Sequence, residues 1–169
     1  NFSATDSRFT GLWWNPDESG WGININHQGN TLFGTLFTYD ASHAPMWLVM
    51  SSGAKQADGS YQGDLFRVQG TPFNAPTWAL PSATTSVGTM KLVFTSNTTA
   101  TLTYSVNGTT VTKAITRQSF ATPAPSCKWS AFDRSFSFNF QDLWWNPDES
   151  GWGLNLTHQG RTLFATLFV

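Results

Sequence analysis

The chain repeats itself, and this constrains its fold more than any other feature. Residues 12–37 recur at 143–168 with a constant offset of 131, and 21 of the 26 aligned positions are identical. A period of this length corresponds to an ordinary domain rather than to a short solenoid unit. We therefore expect a complete module at residues 1–120, a linker at 121–132 and the opening of a second module at 133–169.

The composition excludes several kinds of partner. Only 11% of the residues are charged and the formal net charge is −1, whereas aromatic residues reach 15% with nine Trp. Nucleic acids and acidic membranes are bound through clustered Lys and Arg, so neither is expected. No apolar run is long enough to span a membrane as a helix. Strands rich in Ser, Thr and Asn are common in extracellular β-proteins, which favours a secreted or cell-surface location.

Frequent turn signals, with no sustained helical period, predict an all-β chain. Consecutive hairpin loops, including a type I′ turn at Asn107-Gly108, predict an antiparallel up-and-down meander. Such a meander can close into a barrel and thereby remove its exposed edges. We favour a closed barrel over a sandwich, followed by the first three strands of the second copy. Eight strands are expected in the first copy, at about 11–15, 20–27, 31–39, 45–52, 60–69, 87–95, 99–106 and 109–118.

Side-chain alternation predicts which strand faces are buried. The strand at 20–27 places Ile23 and Ile25 on one face and polar residues on the other, so we expect one face in the core and one in water. The strand at 31–39 and the segment 46–50 are apolar on both faces. These two strands need a second covering surface, which can be a loop, another module or a ligand.

Two resemblances follow from the motifs. An opening Gly-X-Trp-Trp-Asn strand, a Gly/Ser-rich turn and a Gly-Thr-Leu third strand resemble avidin and lipocalin-type barrels over residues 1–120. The motif Trp-Trp-Asn-Pro-X-Glu-Ser-Gly-Trp-Gly, followed by His-Gln-Gly, Thr-Tyr-Asp and Trp-Leu-Val-Met, is similar to a repeat of secreted proteobacterial proteins. This second resemblance covers the whole chain. It implies a bacterial exported repeat protein and no particular activity.

The acidic residues do not form a catalytic pattern. Asp17 and Glu18 are adjacent, whereas a glycosidase needs two separated carboxyl groups about 5–10 Å apart that face one bond. A calcium loop would need alternating oxygen ligands, which are missing here. The segment Asn15-Pro16-Asp17-Glu18-Ser19-Gly20 is better explained as a turn in which Asn15 or Asp17 bonds the backbone.

Histidine and cysteine also give no site. His27 and His158 occupy the same turn in different copies, so solvent-exposed turn histidines are favoured over a zinc site, and His43 stands alone. Cys127 lies in the linker without an internal disulfide partner. No serine hydrolase motif is present. We therefore expect no enzyme, no metal and no cofactor.

The aromatic residues remain as candidates. Trp13 and Trp14 are adjacent on one strand, so one must face inward and the other outward. An outward Trp can stack on a sugar, hold an apolar ligand or pack against a protein. The three strands of the second copy cannot close alone and would expose their apolar residues. We expect either that the rest of the copy exists in a longer parent chain or that these strands pair with an edge of another module. The candidate ligand or interface residues are Trp13, Trp14, Asn15, Tyr39, Trp47, Phe66, Trp144, Trp145, Leu163, Phe164, Leu167 and Phe168.

Two functional hypotheses remain. The leading one is a non-enzymatic extracellular module that self-associates as a fibre-forming or adhesive repeat, either head-to-tail or by strand addition. The alternative is a calycin-like barrel that binds a small apolar ligand or a glycan, with Trp14, Tyr39, Trp47 and Phe66 around the site. A barrel that binds inside should contain a cavity bounded by these aromatics, whereas an assembling module should bury them against other protein.

Overall fold

The computed structural model describes residues 8–120 and 139–169, and within these ranges all regular structure is β-strand. Strands β1 to β8 form a closed barrel, and β9 to β11 form a separate three-stranded sheet. The strands are β1 Gly11–Trp14, β2 Gly22–Gln28, β3 Thr31–Tyr39, β4 Pro45–Lys55, β5 Tyr61–Gln69, β6 Ala83–Phe94, β7 Thr99–Val106, β8 Thr109–Arg117, β9 Asp142–Trp144, β10 Gly153–Gln159 and β11 Thr162–Phe168.

The barrel is an antiparallel meander in which each strand pairs with its sequence neighbours. Strand β1 pairs with β2 and also closes the barrel against β8, where Trp13 lies opposite Arg117. The predicted all-β class and the eight-stranded closed barrel are therefore confirmed. The predicted linker with Cys127 lies outside the described residues.

The strand boundaries follow the predicted ones closely, with two extensions. Strand β6 begins at Ala83 because Ala83 pairs with Gln69, and β4 continues to Lys55. The long Pro-containing connection is therefore restricted to residues 70–82. At the predicted hairpin turn, Asn107 and Gly108 have φ angles of 49° and 86°, as a type I′ turn requires.

The barrel interior is filled by alternate side chains of all eight strands. Each fully buried large aliphatic side chain stabilises the fold by about 1.5–3 kcal/mol relative to an exposed one. The indole of Trp13 lies in this core and donates its Nε1–H to the Phe9 carbonyl at 2.9 Å, whereas Trp14 faces outward. The prediction that one Trp points inward and one outward is confirmed. The core consists of Trp13, Ile23, Ile25, Leu32, Leu36, Leu48, Met50, Tyr61, Leu65, Met90, Leu92, Ala100, Leu102 and Ile115.

Two expectations for β2 are wrong. The face carrying Asn24 and Asn26 does not meet water, because both side chains are buried. The prediction that His27 is an exposed turn residue also fails, because β2 continues through Gln28 and alternation turns His27 into the barrel. Its ring is 1% exposed, and its Nε2 lies 2.8 Å from the Tyr61 hydroxyl.

The surface between the two repeats

The outer face of the second-copy sheet packs on the outside of the barrel, and two hydrogen bonds define the contact. Asn24 Nδ2 donates to Thr166 Oγ1 at 2.8 Å, and Asn155 Nδ2 donates to Thr35 Oγ1 at 3.2 Å. The repeat offset of 131 makes Asn155 the equivalent of Asn24 and Thr166 the equivalent of Thr35. The two bonds are therefore reciprocal, which is the signature of an isologous, two-fold contact between equivalent surfaces.

These four side chains are well suited to a specific contact. Asn24, Thr35 and Asn155 are all buried, and a buried donor that loses its acceptor costs more than an exposed one. Within the described residues the Oδ1 atoms of Asn24 and Asn155 have no hydrogen-bond partner. Each asparagine therefore relies on its single amide bond across the contact. One bond joins β2 to β11 and the other joins β10 to β3, so equivalent strands of the two copies are used.

Aromatic packing flanks the two hydrogen bonds. The ring of Phe168 lies 6.2 Å from that of Phe33 and 5.3 Å from that of Trp47, measured between centroids, and Phe168 is 7% exposed. The expectation that Phe168 would be exposed is wrong, because the outer face of the barrel covers it. Trp47 also donates its Nε1–H to the Val169 carbonyl at 3.2 Å. The second repeat thus supplies the additional covering surface that β3 and β4 need.

The connection at 70–82 and the end of β8 complete the contact. Trp78 donates its Nε1–H to the Ser150 carbonyl at 3.0 Å. On the opposite side, Gln159 donates to the Gln118 carbonyl at 2.7 Å and accepts from the Phe120 amide at 2.9 Å. The long connection, which contains three prolines, therefore contacts the turn of the second copy through Trp78.

Two clefts flank the contact, and they are built from equivalent residues. The larger has a volume of about 400 Å³ and the smaller about 220 Å³. Six lining residues of each cleft are repeat equivalents of residues in the other, as the reciprocal contact requires. The larger contains Leu143, Trp145, Gly151, Trp152, Phe168 and Phe33, and the smaller contains Leu12, Trp14, Gly20, Trp21, Phe37 and Phe164.

The larger cleft has additional walls because β4, β5 and β6 border only this side. They contribute Trp47, Val49, Ser51, Phe66, Val68 and Thr84. Among the described residues that line the cleft, none is charged, and hydroxyl groups come from Ser51 and Thr84 alone. The indole N–H groups of Trp47 and Trp152 are already bonded, to Val169 and Glu149. The cleft is therefore suited to an uncharged, largely apolar group.

The opposite face of the second-copy sheet is open. It exposes Trp144, Leu163 and Leu167, with 50%, 46% and 58% of their surface accessible. The equivalent side chains of the first copy lie in the barrel core and are completely buried. The open face therefore carries the residue pattern of the barrel interior, and no further strand covers it within residues 8–120 and 139–169.

The acidic turns serve structural roles in both copies. Asn15 Oδ1 accepts from the Asp17 amide at 3.0 Å, which confirms the predicted turn. Glu18 accepts from the Trp21 indole at 3.1 Å and forms an ion pair of 2.8 Å with Lys113. The hydrogen bond from Lys113 lowers the pKa of Glu18 below its ordinary value of 4.5, and the Trp21 bond acts in the same direction.

The second copy repeats this turn, with Asn146 Oδ1 accepting from the Asp148 amide at 3.1 Å and Glu149 accepting from the Trp152 indole at 3.0 Å. Glu149 thus repeats the bond of Glu18 to its tryptophan, without an ion pair to a lysine among the described residues. Across residues 8–120 and 139–169, no three His, Cys, Asp or Glu side chains are grouped closely enough to hold a metal ion.

The candidate residues fall into six locations. Trp13 lies in the core, and Asn15 lies in its turn. Trp47, Phe66, Trp145 and Phe168 meet in the larger cleft, while Trp14 and Phe164 meet in the smaller. Tyr39 is exposed, and the remaining candidates Trp144, Leu163 and Leu167 lie on the open face. None of the outward aromatics points into the barrel, so the site they form lies outside it.

Sequence reasoning missed the residues that hold the two copies together. Asn24, Thr35, Asn155 and Thr166 were read as solvent-facing or left without a role. Trp152 and Phe33 of the larger cleft were also absent from the candidates. A usable signal existed, because the outward positions Asn24 and Thr35 are as well preserved between the copies as the core positions. A purely solvated face would not require that identity.

Comparisons with known proteins give no family: no family model, no curated protein and no solved structure matches this chain. In the part of the chain that the structure describes, there is no helix with the length and apolar character needed to traverse a bilayer.

Proposed function

We propose that the chain is a non-enzymatic, extracellular bacterial repeat that acts by association, as an adhesive or fibre-forming module. The reciprocal pair of bonds, Asn24 to Thr166 and Asn155 to Thr35, carries this proposal. A surface that recognises its own equivalent in the next repeat is what a self-associating repeat protein requires. The repeat resemblance and the low-charge, Thr- and Asn-rich strands support an exported location.

The open face of β9–β11 gives a second reason to expect association. Half-exposed Trp144, Leu163 and Leu167 form a contiguous apolar surface, and such surfaces mark protein contacts. The outer edge of the same sheet at β11 has no strand partner among the described residues.

The proposal is tested by the mass and shape of the purified chain over a concentration series, with light scattering and electron microscopy of the same sample. We expect the mass to grow with concentration and filaments or chains of particles to form. Leu163→Asp should suppress this growth, because it places a charge on the open face. Val93→Asp, at an exposed aliphatic on the barrel, is the matched control and should not. A monomer at every concentration would contradict the proposal.

A second candidate function is the binding of a small apolar ligand in the larger cleft. The observation that favours it is the convergence of Trp47, Phe66 and Trp145 around a volume of about 400 Å³ without charged groups. With only two hydroxyl groups in the wall, the cleft suits an apolar molecule better than a glycan, which needs many hydrogen bonds.

Intrinsic Trp fluorescence tests this second candidate. Titration with the uncharged probe N-phenyl-1-naphthylamine should be saturable, whereas cellohexaose should leave the emission unchanged. Phe66→Ala should weaken binding of the probe about tenfold, as loss of a buried aromatic contact predicts. Val93→Ala serves as the control. A response to cellohexaose alone would favour a glycan, and no saturable response to either would exclude the cleft as a site for these ligands.

A further inference from the structure

The outer faces of β1–β3 and β9–β11 are more alike than the inner faces of the same strands. Strand alternation assigns ten positions of residues 12–37 to the outer face of β1–β3 and seven to its inner face. Ile23, Ile25 and Gly34 differ between the copies on the inner face, whereas Asn26 alone differs on the outer face. A solvated face would show the opposite, because surface substitutions usually change stability little. The outer positions are Leu12, Trp14, Gly22, Asn24, Asn26, Gln28, Thr31, Phe33, Thr35 and Phe37, and the inner positions are Trp13, Ile23, Ile25, His27, Leu32, Gly34 and Leu36.

A contact within one chain requires complementary faces, but it does not require identical ones. Asn24 lies opposite Thr35 on the outer face of β1–β3, and Asn155 lies opposite Thr166 on that of β9–β11, so each face presents an amide donor beside a hydroxyl acceptor. A half turn brings the asparagine of one such face onto the threonine of an identical face. The outer face of β1–β3 is therefore complementary to itself. None of its ten positions carries a charged side chain, so two identical faces meet without repulsion.

Contacts around the centre of the face also fit a first copy as the partner. Trp78 donates to the Ser150 carbonyl, and a backbone carbonyl is present at the equivalent Ser19 as well. Gln159 forms two hydrogen bonds to the residues that follow β8, and its equivalent Gln28 has the same side chain and is exposed on the barrel. These contributions of the second copy are thus available on the first copy of another chain.

Two flanking contacts would be lost with a first copy as the partner. Gln141 donates to the Thr10 carbonyl at 3.4 Å, and the residue equivalent to Gln141 is Thr10 itself, which cannot replace the amide. Trp47 bonds the Val169 carbonyl, whereas the equivalent Thr38 pairs with β4 within the barrel. Neither contact involves the central asparagine and threonine side chains, so the centre of the face is unaffected.

The remaining strands of a second barrel do not block this docking. They enclose the inner face of β1–β3 and therefore lie behind the face that docks. On the side of the larger cleft, β4, β5 and β6 already stand beside a docked sheet. The two-fold relation places the same strands of the partner beside the smaller cleft. Phe120, whose ring centroid lies 5.7 Å from that of Phe164, is the residue that must adjust there.

We infer that the outer face of β1–β3 binds the same face of a second copy of this chain, in the arrangement that it now takes against β9–β11. This inference rests on the proposed function and names the surface and the partner through which the repeat associates. Within a single chain β9–β11 covers the face, and two linked segments meet at an effective concentration on the order of mM. Pairing between chains therefore appears when that cover is released.

The test uncovers the face in the full chain. Asn155→Glu/Thr166→Glu places two bulky charges in the contact and releases β9–β11 from the barrel, because both positions face buried partners. Leu163→Asp is included to suppress association through the open face. We expect this triple variant, the uncovered chain, to have twice the mass of Leu163→Asp by light scattering at equal micromolar concentrations.

Two controls show whether the pairing uses this face. Adding Asn24→Glu/Thr35→Glu to the uncovered chain should return it to the monomer, since two charged faces repel each other. Adding Thr110→Glu/Thr112→Glu, at exposed positions of β8, should leave the dimer unchanged.

Disulfide trapping tests the two-fold arrangement. Two uncovered chains that also carry Cys127→Ser are mixed, one with Asn24→Cys and the other with Thr35→Cys. The face-to-face pair brings these two positions together, so the mixed disulfide should form faster than a disulfide between identical chains. Thr112→Cys in place of Thr35→Cys should give no such preference.

An uncovered chain that melts cooperatively and stays monomeric would overturn the inference. A dimer that persists with Asn24→Glu/Thr35→Glu, or that shows no preference for the mixed disulfide, would also overturn it, because another surface would then form the dimer. If the charged variant does not melt cooperatively, Asn155→Ala/Thr166→Ala uncovers the face more gently, and the same outcomes decide.

The result is separable from the proposed function. If the wild type associates but the uncovered chain is a monomer, the repeat self-associates through another surface and this inference alone fails. If the uncovered chain is a dimer while the wild type is a monomer at every concentration, the face binds itself, but the natural chain does not associate as proposed.

Discussion

Trp13 and Trp144 occupy the same position of the two repeats and make the same hydrogen bond, yet Trp13 is completely buried and Trp144 is 50% exposed. The difference comes from β4–β8, which enclose Trp13, whereas no strands of the described part of the chain enclose Trp144 in this way. The local structure of this segment is thus independent of its burial.

Core substitutions in the strands that occur only once should be costly. Leu102 on β7 is completely buried, and Leu102→Ala should lower the free energy of unfolding by about 2–5 kcal/mol. Urea denaturation followed by Trp fluorescence measures the change. Leu167→Ala, at a position that is 58% exposed, is the control and should stay within about 0.5 kcal/mol. If both variants lost the same free energy of unfolding, the exposed position of Leu167 would be contradicted.

The reciprocal hydrogen bonds should appear as pairwise coupling. A double-mutant cycle with Asn24→Ala and Thr166→Val should give a coupling free energy of about 0.5–1.5 kcal/mol, since the bond joins two protected side chains. The equivalent cycle with Asn155→Ala and Thr35→Val should give a similar value. Asn24→Ala combined with Thr112→Val, on the far strand β8, is the control and should be additive. Additivity in both reciprocal cycles would mean that the two copies are not held by these bonds.

The ion pair of Glu18 should make the fold sensitive to acid. The pKa of Glu18 is lowered, chiefly by the hydrogen bond from Lys113, so the carboxylate binds its proton less readily in the folded state. Its stabilising effect is complete above the ordinary pKa of 4.5 and is lost as the pH falls through the lowered pKa. Glu18→Gln should therefore show a smaller drop in melting temperature between pH 7 and pH 3 than the wild type.

The control for this effect is Glu149→Gln. Glu149 accepts the equivalent bond from Trp152 but has no ion-pair partner among the described residues. Glu149→Gln should therefore leave the pH dependence of the melting temperature unchanged. Some dependence will remain in Glu18→Gln, because hydrogen bonds from Ser42 and Ser60 also lower the pKa values of Asp40 and Asp58. If Glu18→Gln melts with the wild-type pH profile, the Lys113 pair does not contribute to acid sensitivity.

Two glycines separate steric from conformational effects. A Cβ at Gly88 would overlap the Ser105 carbonyl oxygen, so Gly88→Ala should destabilise the barrel by about 2–3 kcal/mol. Gly108 has a φ of 86° and open space around it, so Gly108→Ala should cost only about 1 kcal/mol from backbone strain. Thermal unfolding of both variants shows whether Gly88→Ala is the more destabilising substitution. A larger loss for Gly108→Ala would show that close strand approach at Gly88 is not required.

Much of the fold was predictable because strand formation is governed by local alternation and turn chemistry. Adjacent Trp13 and Trp14 had to lie on opposite faces, and Asn107-Gly108 had to form a hairpin turn. The position of His27 was predicted wrongly because a single extra residue in β2 moves a side chain from the turn into the barrel. The cleft residues Phe33 and Trp152 were missed because nothing local shows which outward residues will meet another sheet.

The sequence by itself determined the repeat, the strands and the shared turns, since these depend on hydrogen bonds between residues close along the chain. That is why Asn15 and Asn146 form the same turn in two different surroundings. Only the tertiary structure decided which of two nearly identical segments is enclosed and which outer faces meet. Burial depends on partners far away along the chain, and a segment such as β9–β11 carries no information about whether those partners are within reach.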